Sequence, residues 1–308
     1  MTNLVDALVQ LSAGPLRAVE EIRRMRGGCQ SHLMRCSDGR YYVVKFPNNP
    51  QGRRVLANEL LCTALAELLL LPVAHGAVVF VSEELVSLSD ELCIQHGYGR
   101  TPCGHGLCFG SQFAADPRGK AIFDLLPGNI LTQVPNLRDF CGILVFDIWA
   151  SNADARQAVF VPDESNSYHA VMIDHGSCFD GQLWQFTDAP RRSLHLDKRV
   201  YEHVQGISAF DPWLNVLAQI GRDMLSEAAS RIPTEWFGGD RARLDLLLDQ
   251  LYERKGQVRD KLQFFGSAFP KIFPNWTARE APHRVSGLTP ITAEEDYRFR
   301  RSCLPSNS

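Results

Sequence analysis

Apolar residues change their spacing near residues 125–135 of this 308-residue chain. Before that region, short apolar runs separated by glycine and proline are typical of strands joined by turns. After it, the stretches that begin at Leu137, Asp211 and Arg241 repeat an apolar residue at helical spacing, which indicates amphipathic helices. The pattern predicts an α+β fold in which a strand-rich first part precedes a helix-rich second part.

The segment from Gly27 to Phe46, GGCQSHLMRCSDGRYYVVKF, predicts two antiparallel strands. The dipeptide Asp38-Gly39 lies between two apolar runs, and it readily adopts the positive backbone angles of a tight hairpin turn. The next stretch, RRVLANELLCTALAELLLL, has helical apolar spacing and ends before Pro72, which cannot continue a helix. A strand pair followed by a helix is therefore expected.

Further strands and one long connection are expected after that helix. The runs AVVFVSEELVSL and KAIFDLLPG predict strands, and a glycine-rich connection from Gly97 to Gly119 separates them. In the second part, the short runs QAVFV and HAVMI can pair as a hairpin. Beyond Phe273 the chain is rich in proline, threonine, serine and charged residues, which predicts a loosely ordered tail.

Charge and hydropathy exclude several classes of protein. A net charge of -3 argues against a general nucleic-acid binder, so no direct nucleic-acid binding is expected. The longest apolar run is interrupted too often for a membrane span, and the N-terminal residues lack the pattern of a secretory signal. We therefore expect a cytoplasmic protein that does not bind the membrane.

Nine cysteines are scattered along the chain, which predicts reduced, buried thiols rather than a disulfide framework. One cluster contains Cys93, His96, Cys103, His105 and Cys108. Structural zinc needs four convergent ligands, commonly in paired Cys-x-x-Cys spacings, which this cluster lacks. A glycine-rich loop with incidental thiols is the favoured interpretation.

Residues of the first part match the needs of a phosphate site. The glycine turn before Gln30 and Ser31 lets backbone N–H groups approach phosphates, and these two side chains add polar contacts. Strand alternation places Lys45 on one face of the strand below that turn, and Glu59 on the following helix can hold the lysine in place. Taken alone, these two residues favour a simpler interpretation, a solvated lysine and an exposed helical glutamate.

Two aspartates beside short apolar strands make the phosphate-site interpretation more favourable than the simpler one. Asp174, in MIDHG, is placed to hold magnesium, which prefers hard oxygen ligands, and Asp154, in NADARQAVFV, would lie across the site toward an acceptor hydroxyl. Phosphoryl transfer relies on a lysine, a base and metal ligands, and Lys45, Asp154, Gln157 and Asp174 occur in a suitable order. Singly, each aspartate fits a turn or a helix cap equally well. Together with the lysine strand, they favour function.

The chain resembles the HipA-like kinases, a bacterial branch of the protein-kinase-like fold, over roughly residues 15–265. The resemblance rests on GGCQSHLMRCSDGRYYVVKFPNNPQ, RRVLANELLCTALAELL, LRDFCGILVFDIWASNADARQAVF and MIDHGSCF. It implies a two-lobed kinase that binds ATP between a small β-rich N-terminal lobe, residues 1–126, and a helical C-terminal lobe, residues 127–273. Residues 274–308 would form the loosely ordered tail.

The same resemblance implies a role for each candidate residue. The hinge, whose backbone contacts adenine, would lie in IFDLLP and include Phe123 and Leu125. The other implied roles are the phosphate lysine for Lys45, its partner for Glu59, the catalytic base for Asp154 and the magnesium ligand for Asp174.

One position departs from the family pattern. Kinases place a magnesium-binding asparagine five residues after the catalytic aspartate, whereas this chain has Val159 there. In one alternative, a shortened catalytic loop lets Gln157 ligate the metal; in the other, Asp147 is the base and Asn152 is the ligand. We prefer the first, because NAD resembles the NTD of relatives and ILVFDIWA has the pattern of a continuing helix.

The leading hypothesis is an ATP- and magnesium-dependent kinase that phosphorylates a hydroxyl, on serine or threonine of an unknown protein substrate. The missing asparagine keeps a catalytically inactive, nucleotide-binding pseudokinase open. Transfer of AMP is a third alternative, because the fold does not fix the chemistry. The resemblance also leaves open an antitoxin-like partner.

Overall fold

The computed structural model describes residues 14–117, 119, 121–152, 154, 158–165, 167–186, 194–195 and 197–277. The strands are β1 (Leu16–Arg24), β2 (His32–Cys36), β3 (Tyr41–Lys45), β4 (Gly76–Val81), β5 (Cys93–His96), β6 (Gly99–Pro102), β7 (Gly106–Gln112), β8 (Ala158–Pro162) and β9 (Tyr168–Met172). The helices are α1 (Arg54–Leu68), α2 (Glu83–Leu88), α3 (Gly128–Leu131), α4 (Asp139–Ala150), α5 (Asp211–Gln219), α6 (Arg222–Ser230), α7 (Arg241–Arg254) and α8 (Val258–Ala268).

Five strands close into a barrel in the order β1-β2-β3-β7-β4. β2 and β3 pair antiparallel across the turn at Gly39, whose φ of +78° suits glycine, and this confirms the predicted hairpin. β7 lies antiparallel between β3 and β4. A short parallel pairing, in which Leu16 lies opposite Val79, joins β1 to β4 and closes the barrel.

Strand alternation in β3 directs its lysine away from the centre of the barrel. Tyr42 and Val44 are fully buried in the apolar cluster that fills the barrel. Because successive side chains of a strand point to opposite faces, Lys45 points to the other face, where it meets α1.

Helix α1 is buried along most of its length, between the barrel and the helical part of the chain. It packs against β4, β7, α6 and the turn Cys178–Leu183. A helix that is surrounded in this way needs apolar residues on all its faces, and the sequence of α1 supplies them. The exceptions that matter are Asn58 and Glu59, which are each 1% exposed and therefore require polar partners.

Helix α4 forms the centre of the helical part, because every residue from Phe140 to Ala150 is buried. Helices α5, α7 and α8 pack around it. Gly142 allows the close approach of α5, since an added Cβ would lie 2.3 Å from Nε1 of Trp213. The long helical stretches predicted from Asp211 and Arg241 each divide into two helices, the first at Gly221 and the second at a 3-10 turn, Lys255–Gln257.

The structure corrects the predicted strands of the first part. Strands β6 and β7 lie within the segment Gly97–Gly119 that was expected to be a connection, whereas the described residues of KAIFDLLPG, 121–128, contribute a single bridge, between Phe123 and Phe160. β7 contains two glycines and few apolar residues, so its sequence does not predict a strand. Pairing with β3 on one side and β4 on the other stabilises it. The predicted strand AVVFVSEELVSL ends at Val81, because Ser82 caps α2 by accepting a hydrogen bond from Leu85 N at 3.2 Å.

The hairpin of β8 and β9 forms as predicted and is tied to the chain that follows α1. The N–H of Met172 donates to the carbonyl of Pro72 at 2.6 Å, and Ala74 N–H donates back to Met172 at 3.0 Å. This pairing brings the end of β9, and hence Asp174, next to α1.

Packing continues past the predicted start of the tail at residue 274. Thr277 N–H donates to the carbonyl of Gln205 at 2.9 Å, and the rings of Trp276 and Phe273 lie 5.9 Å apart. Among the described residues, no helix has both the length and the apolar character needed to cross a membrane.

Candidate active site

Three charged side chains from three separate elements meet beside α1. Lys45, at the end of β3, makes ion pairs with Glu59 on α1 and with Asp174 after β9; its Nζ lies 2.6 Å from Oδ1 of Asp174. The side chains of Lys45 and Glu59 are 7% and 1% exposed, whereas that of Asp174 is 47% exposed. The site is therefore a buried cation with one buried carboxylate and one carboxylate open to solvent.

Two carboxylates share one ammonium, and the balance between burial and these neighbouring charges sets the pKa of each group. Burial opposes the charge of Lys45, but Glu59 and Asp174 outweigh it and hold the pKa of Lys45 well above its ordinary value. Burial also opposes the charge of Asp174, but Lys45 outweighs it and lowers the pKa of that carboxyl. For Glu59, burial prevails over Lys45 and raises the pKa to about 7. Of the two carboxyls, the more deeply buried Glu59 therefore has the raised pKa, and the more exposed Asp174 has the lowered pKa.

The backbone after β9 turns sharply at Asp174 and then lies against α1. Asp174 has a φ of +62°, in the left-handed region, and the next N–H, of His175, donates to Oε2 of Glu59 at 2.9 Å. A Cβ added at Gly176 would lie 2.6 Å from Cγ1 of Val55. Glu59 thus orients the lysine with one oxygen and the backbone of the Asp174 segment with the other.

His175 is a buried residue whose environment the sequence did not reveal. Burial lowers its pKa to about 4, so the imidazole is neutral at physiological pH. Within the described part of the chain, neither ring nitrogen has a hydrogen-bond partner, and the ring packs edge-on to Phe146 at 5.5 Å.

A divalent ion at Asp174 would need ligands from the bound substrate. Among the described residues, no group of at least three His, Cys, Asp or Glu side chains is placed to hold a metal ion. Magnesium in kinase-type sites takes one or two carboxylates and completes its shell with phosphate oxygens and water. The half-exposed, ionised carboxylate of Asp174 fits that requirement, and Gln157, the predicted second ligand, lies outside the described residues.

Asp147 and Asp154 lie in different environments at the end of α4. Asp147 is 1% exposed, and its Oδ1 accepts from Nδ2 of Asn152 at 3.3 Å. Asp154 is partly exposed, and its N–H donates to Oδ1 of Asn152 at 3.1 Å. Burial, the largest influence, raises the pKa of Asp147 well above its ordinary value. The burial of Asp147 leaves its carboxyl little access to an acceptor hydroxyl, while the same asparagine orients the turn that carries Asp154.

Asp147→Asn is expected to become more favourable to stability as the pH rises. An acid whose pKa is raised on folding stabilises the fold below its unfolded-state pKa and loses that stability, by up to about 1.4 kcal/mol per pH unit, as the pH rises toward the folded-state pKa. Asparagine has no proton to lose and keeps an acceptor for Asn152. Urea unfolding of both proteins at pH 5 and pH 8 measures the change; a difference that does not vary with pH would contradict a protonated Asp147.

The glycine turn that precedes β2 is attached to the β5–β6 hairpin through Gln30. The Gln30 amide donates to the carbonyl of Gln95 at 2.9 Å and accepts from its N–H at 2.7 Å, and Arg24 donates to the same amide oxygen. These bonds hold the Gln30 amide against β5, and its contact with phosphates stays a prediction. Ser31 is buried beside it at 6% exposure, and its phosphate contact stays a prediction.

The predicted hinge contacts β8. The N–H of Phe123 donates to the carbonyl of Phe160 at 3.1 Å, and Phe160 N–H donates back at 2.8 Å. The contact of the Phe123 backbone with adenine stays a prediction. Leu125 is 68% exposed, and its contact with the nucleotide stays a prediction.

Comparison with known proteins gives a family and a fold. Residues 18–264 match the family model described as HipA-like kinase. No match was found among curated proteins.

Solved structures match this chain at low sequence identity. The Golgi casein kinase matches with 13% identity and a TM-score of 0.50, over 87% of this chain and 77% of that one. The same kinase with Mn/ADP bound gives 13% identity and a TM-score of 0.47, over 87% and 78%. The HipA, HipB and operator DNA complex of the Shewanella oneidensis MR-1 toxin–antitoxin system gives 11% identity and a TM-score of 0.39, over 84% and 72%.

The likeness to the Golgi casein kinase shows a kinase-like fold with mixed α+β content. The family match, over residues 18–264, spans more than half of the chain. This chain therefore belongs to the HipA-like kinase family.

Proposed function

We propose that this protein is an ATP- and magnesium-dependent kinase that transfers the γ-phosphate to a hydroxyl, on serine or threonine of a protein substrate. The observation that carries the proposal is the buried ammonium of Lys45 held between Glu59 and Asp174. Phosphoryl transfer asks the protein mainly to position phosphates and neutralise their charge. A buried cation beside a solvent-open carboxylate is suited to that task.

Lys45 would neutralise the phosphates of ATP. Its pKa is raised, so the ammonium keeps its proton at physiological pH. When the nucleotide binds, phosphate oxygens can take the position of Asp174 beside Nζ, while Glu59 keeps the side chain oriented. Asp174 is then available to the metal as an ionised carboxylate.

Asp174 and Gln157 would hold the magnesium ion, and Asp154 would act as the base. The ion, when bound, neutralises charge on the transferring and leaving phosphates. The Asp154 carboxylate would accept the proton of the acceptor hydroxyl as its oxygen attacks the γ-phosphorus. The bond from that phosphorus to the bridging oxygen breaks, and ADP leaves with the electron pair.

We place the site in a cleft between two lobes, residues 1–126 and 127–273. β7 ends at Gln112, and the chain that follows it leads to IFDLLP, where the backbone near Phe123 and Leu125 is the proposed contact for adenine. The acceptor protein, an antitoxin-like partner and a cytoplasmic location remain predictions.

A catalytically inactive, nucleotide-binding protein is the second candidate function, and the position of Val159 favours it. Val159 lies in β8 opposite Val171 and is 7% exposed. An apolar, strand-paired residue at the expected position of the metal-binding asparagine cannot ligate magnesium. If Gln157 does not replace that ligand, nucleotide binding would persist without transfer.

Incubation with γ-labelled and, in parallel, α-labelled ATP is expected to transfer only the γ label to protein. Each reaction contains Mg²⁺ and a mixture of acceptor proteins, and gel autoradiography reads the label. Transfer of the α label would instead identify AMP transfer. No transfer, combined with measurable nucleotide binding, would identify the inactive alternative.

Lys45→Met is the control for that experiment. Methionine keeps most of the length of the side chain but removes the ammonium, so the phosphates lose their cation. The γ label should disappear with this variant. Label that persists at the same level would come from a contaminating kinase or from a site elsewhere, and would contradict the proposal.

A further inference from the structure

One face of α1 contacts the segment that begins at Asp174. Val55, Asn58, Glu59 and Cys62 follow the spacing of a single helical face. Val55 lies against Gly176, and Glu59 accepts from His175 N–H. The same face of α1 thus holds Lys45, through Glu59, and the segment that carries Asp174, the proposed metal ligand.

Asn58 makes the most hydrogen bonds between these two elements. Its Nδ2 donates to the carbonyls of Gly176 at 3.0 Å, Cys178 at 3.1 Å and Gly181 at 2.8 Å. Its Oδ1 accepts from the indole N–H of Trp184 at 2.7 Å. An amide has two N–H bonds, so three carbonyls must share them, and the side chain has no donor left over.

The backbone of this segment explains why such a residue is needed. Phe179, Asp180 and Gly181 have φ values of 58°, 56° and 60°, all in the left-handed region. A run of left-handed residues cannot continue a regular right-handed helix, so its carbonyls need partners elsewhere. The buried amide of Asn58 donates to the carbonyl of Gly181 in this run and to those of Gly176 and Cys178 just before it, and it thereby stabilises this path of the chain.

We propose that Asn58 is a positioning residue for Asp174: by joining the Asp174 segment to the helix that carries Glu59, it sets the place of the metal carboxylate relative to Lys45. The inference rests on the proposed kinase function, because it assigns a metal role to Asp174. Asn58 itself is 1% exposed and lies behind the reacting groups. It acts on the reaction through the backbone that it holds.

Two tryptophans of the chain allow a matched test. Trp184→Phe removes the indole N–H that orients the Asn58 amide, whereas Trp236→Phe removes an equivalent indole N–H that donates to the carbonyl of Leu107 at 3.0 Å. Both side chains are buried, at 5% and 1% exposure. The two variants therefore lose the same type of bond, one to the Asn58 side chain and one to the backbone of β7.

Binding of a fluorescent ATP analogue is titrated with Mg²⁺, and separately measured in EDTA. Trp184→Phe should raise the Mg²⁺ concentration for half-maximal tight binding about threefold to tenfold, and Asn58→Ala by about tenfold or more. Affinity in EDTA should stay unchanged, because Lys45 and Glu59 remain. Trp236→Phe should leave both values as in the wild type.

The outcomes separate this inference from the proposed function. An unchanged Mg²⁺ requirement in folded Trp184→Phe, or an equal rise in Trp236→Phe, overturns the positioning role of Asn58 whatever the phosphotransfer result. If the wild type binds the nucleotide with Mg²⁺ but transfers nothing, the kinase proposal fails while the metal titration still decides the role of Asn58. If the wild type shows no metal-dependent binding, both fail. Should Asn58→Ala not fold, Trp184→Phe carries the test.

Discussion

Asp174→Asn is expected to lower the rate of phosphotransfer by about a thousandfold or more while the protein stays folded. The change removes the negative charge that would hold the metal and keeps an oxygen that can accept from Lys45. Asparagine also tolerates the left-handed backbone found at Asp174, where φ is +62°. Single-turnover transfer of γ-labelled phosphate, with thermal unfolding measured in parallel, would quantify the loss.

Asp180→Asn is the matched control for this variant. Asp180 lies in the same segment and is also left-handed, with a φ of 56°, and it is partly exposed. The same substitution there should change the rate little. Transfer that survives in Asp174→Asn at a rate close to that of Asp180→Asn would remove the metal role of Asp174 and, with it, the proposed mechanism.

Asp154→Asn is expected to lower the rate by about a hundredfold to ten-thousandfold, whereas Asp147→Asn should leave it nearly unchanged. The N–H of Asp154 that donates to Asn152 is retained, so the turn keeps its shape and only the base is lost. Asp147 is 1% exposed and its pKa is raised by burial, so we expect an amide to replace it without loss of a reacting group. Rates at saturating ATP for both variants give the comparison.

The reverse result would reassign the base. Loss of transfer in Asp147→Asn, with near-normal transfer in Asp154→Asn, would show that the buried carboxyl becomes exposed and reacts in the complex with ATP. Equal, small effects in both variants would indicate that no carboxylate base is needed beyond positioning of the hydroxyl.

Local patterns predicted the elements that carry the Lys45, Glu59 and Asp174 side chains. The Asp38-Gly39 turn, the apolar spacing of α1 and the hairpin of β8 and β9 each follow from neighbouring residues. Once those elements are in place, the approach of Lys45 to Glu59 and Asp174 follows from alternation in β3 and from the pairing of Met172 with Pro72.

The features that the sequence did not predict depend on contacts between residues far apart along the chain. β7 has little apolar pattern and exists because β3 and β4 flank it. The amide of Gln30 bonds to the backbone of Gln95, far along the chain, and no local pattern predicts that pairing. Asn58 sits in a run of apolar helix, where no local signal distinguishes a residue that holds three distant carbonyls.

The closed barrel has a consequence for how other proteins can engage it. β2, β3 and β7 each lie between two strands, whereas β1 pairs with β4 only at Leu16 and Arg17. Strand addition from a bound peptide needs a row of unpaired backbone groups, so it is disfavoured at β2, β3 and β7. A protein that recognises these three strands has to read their outward-facing side chains, and specificity there would depend on surface chemistry instead of main-chain complementarity.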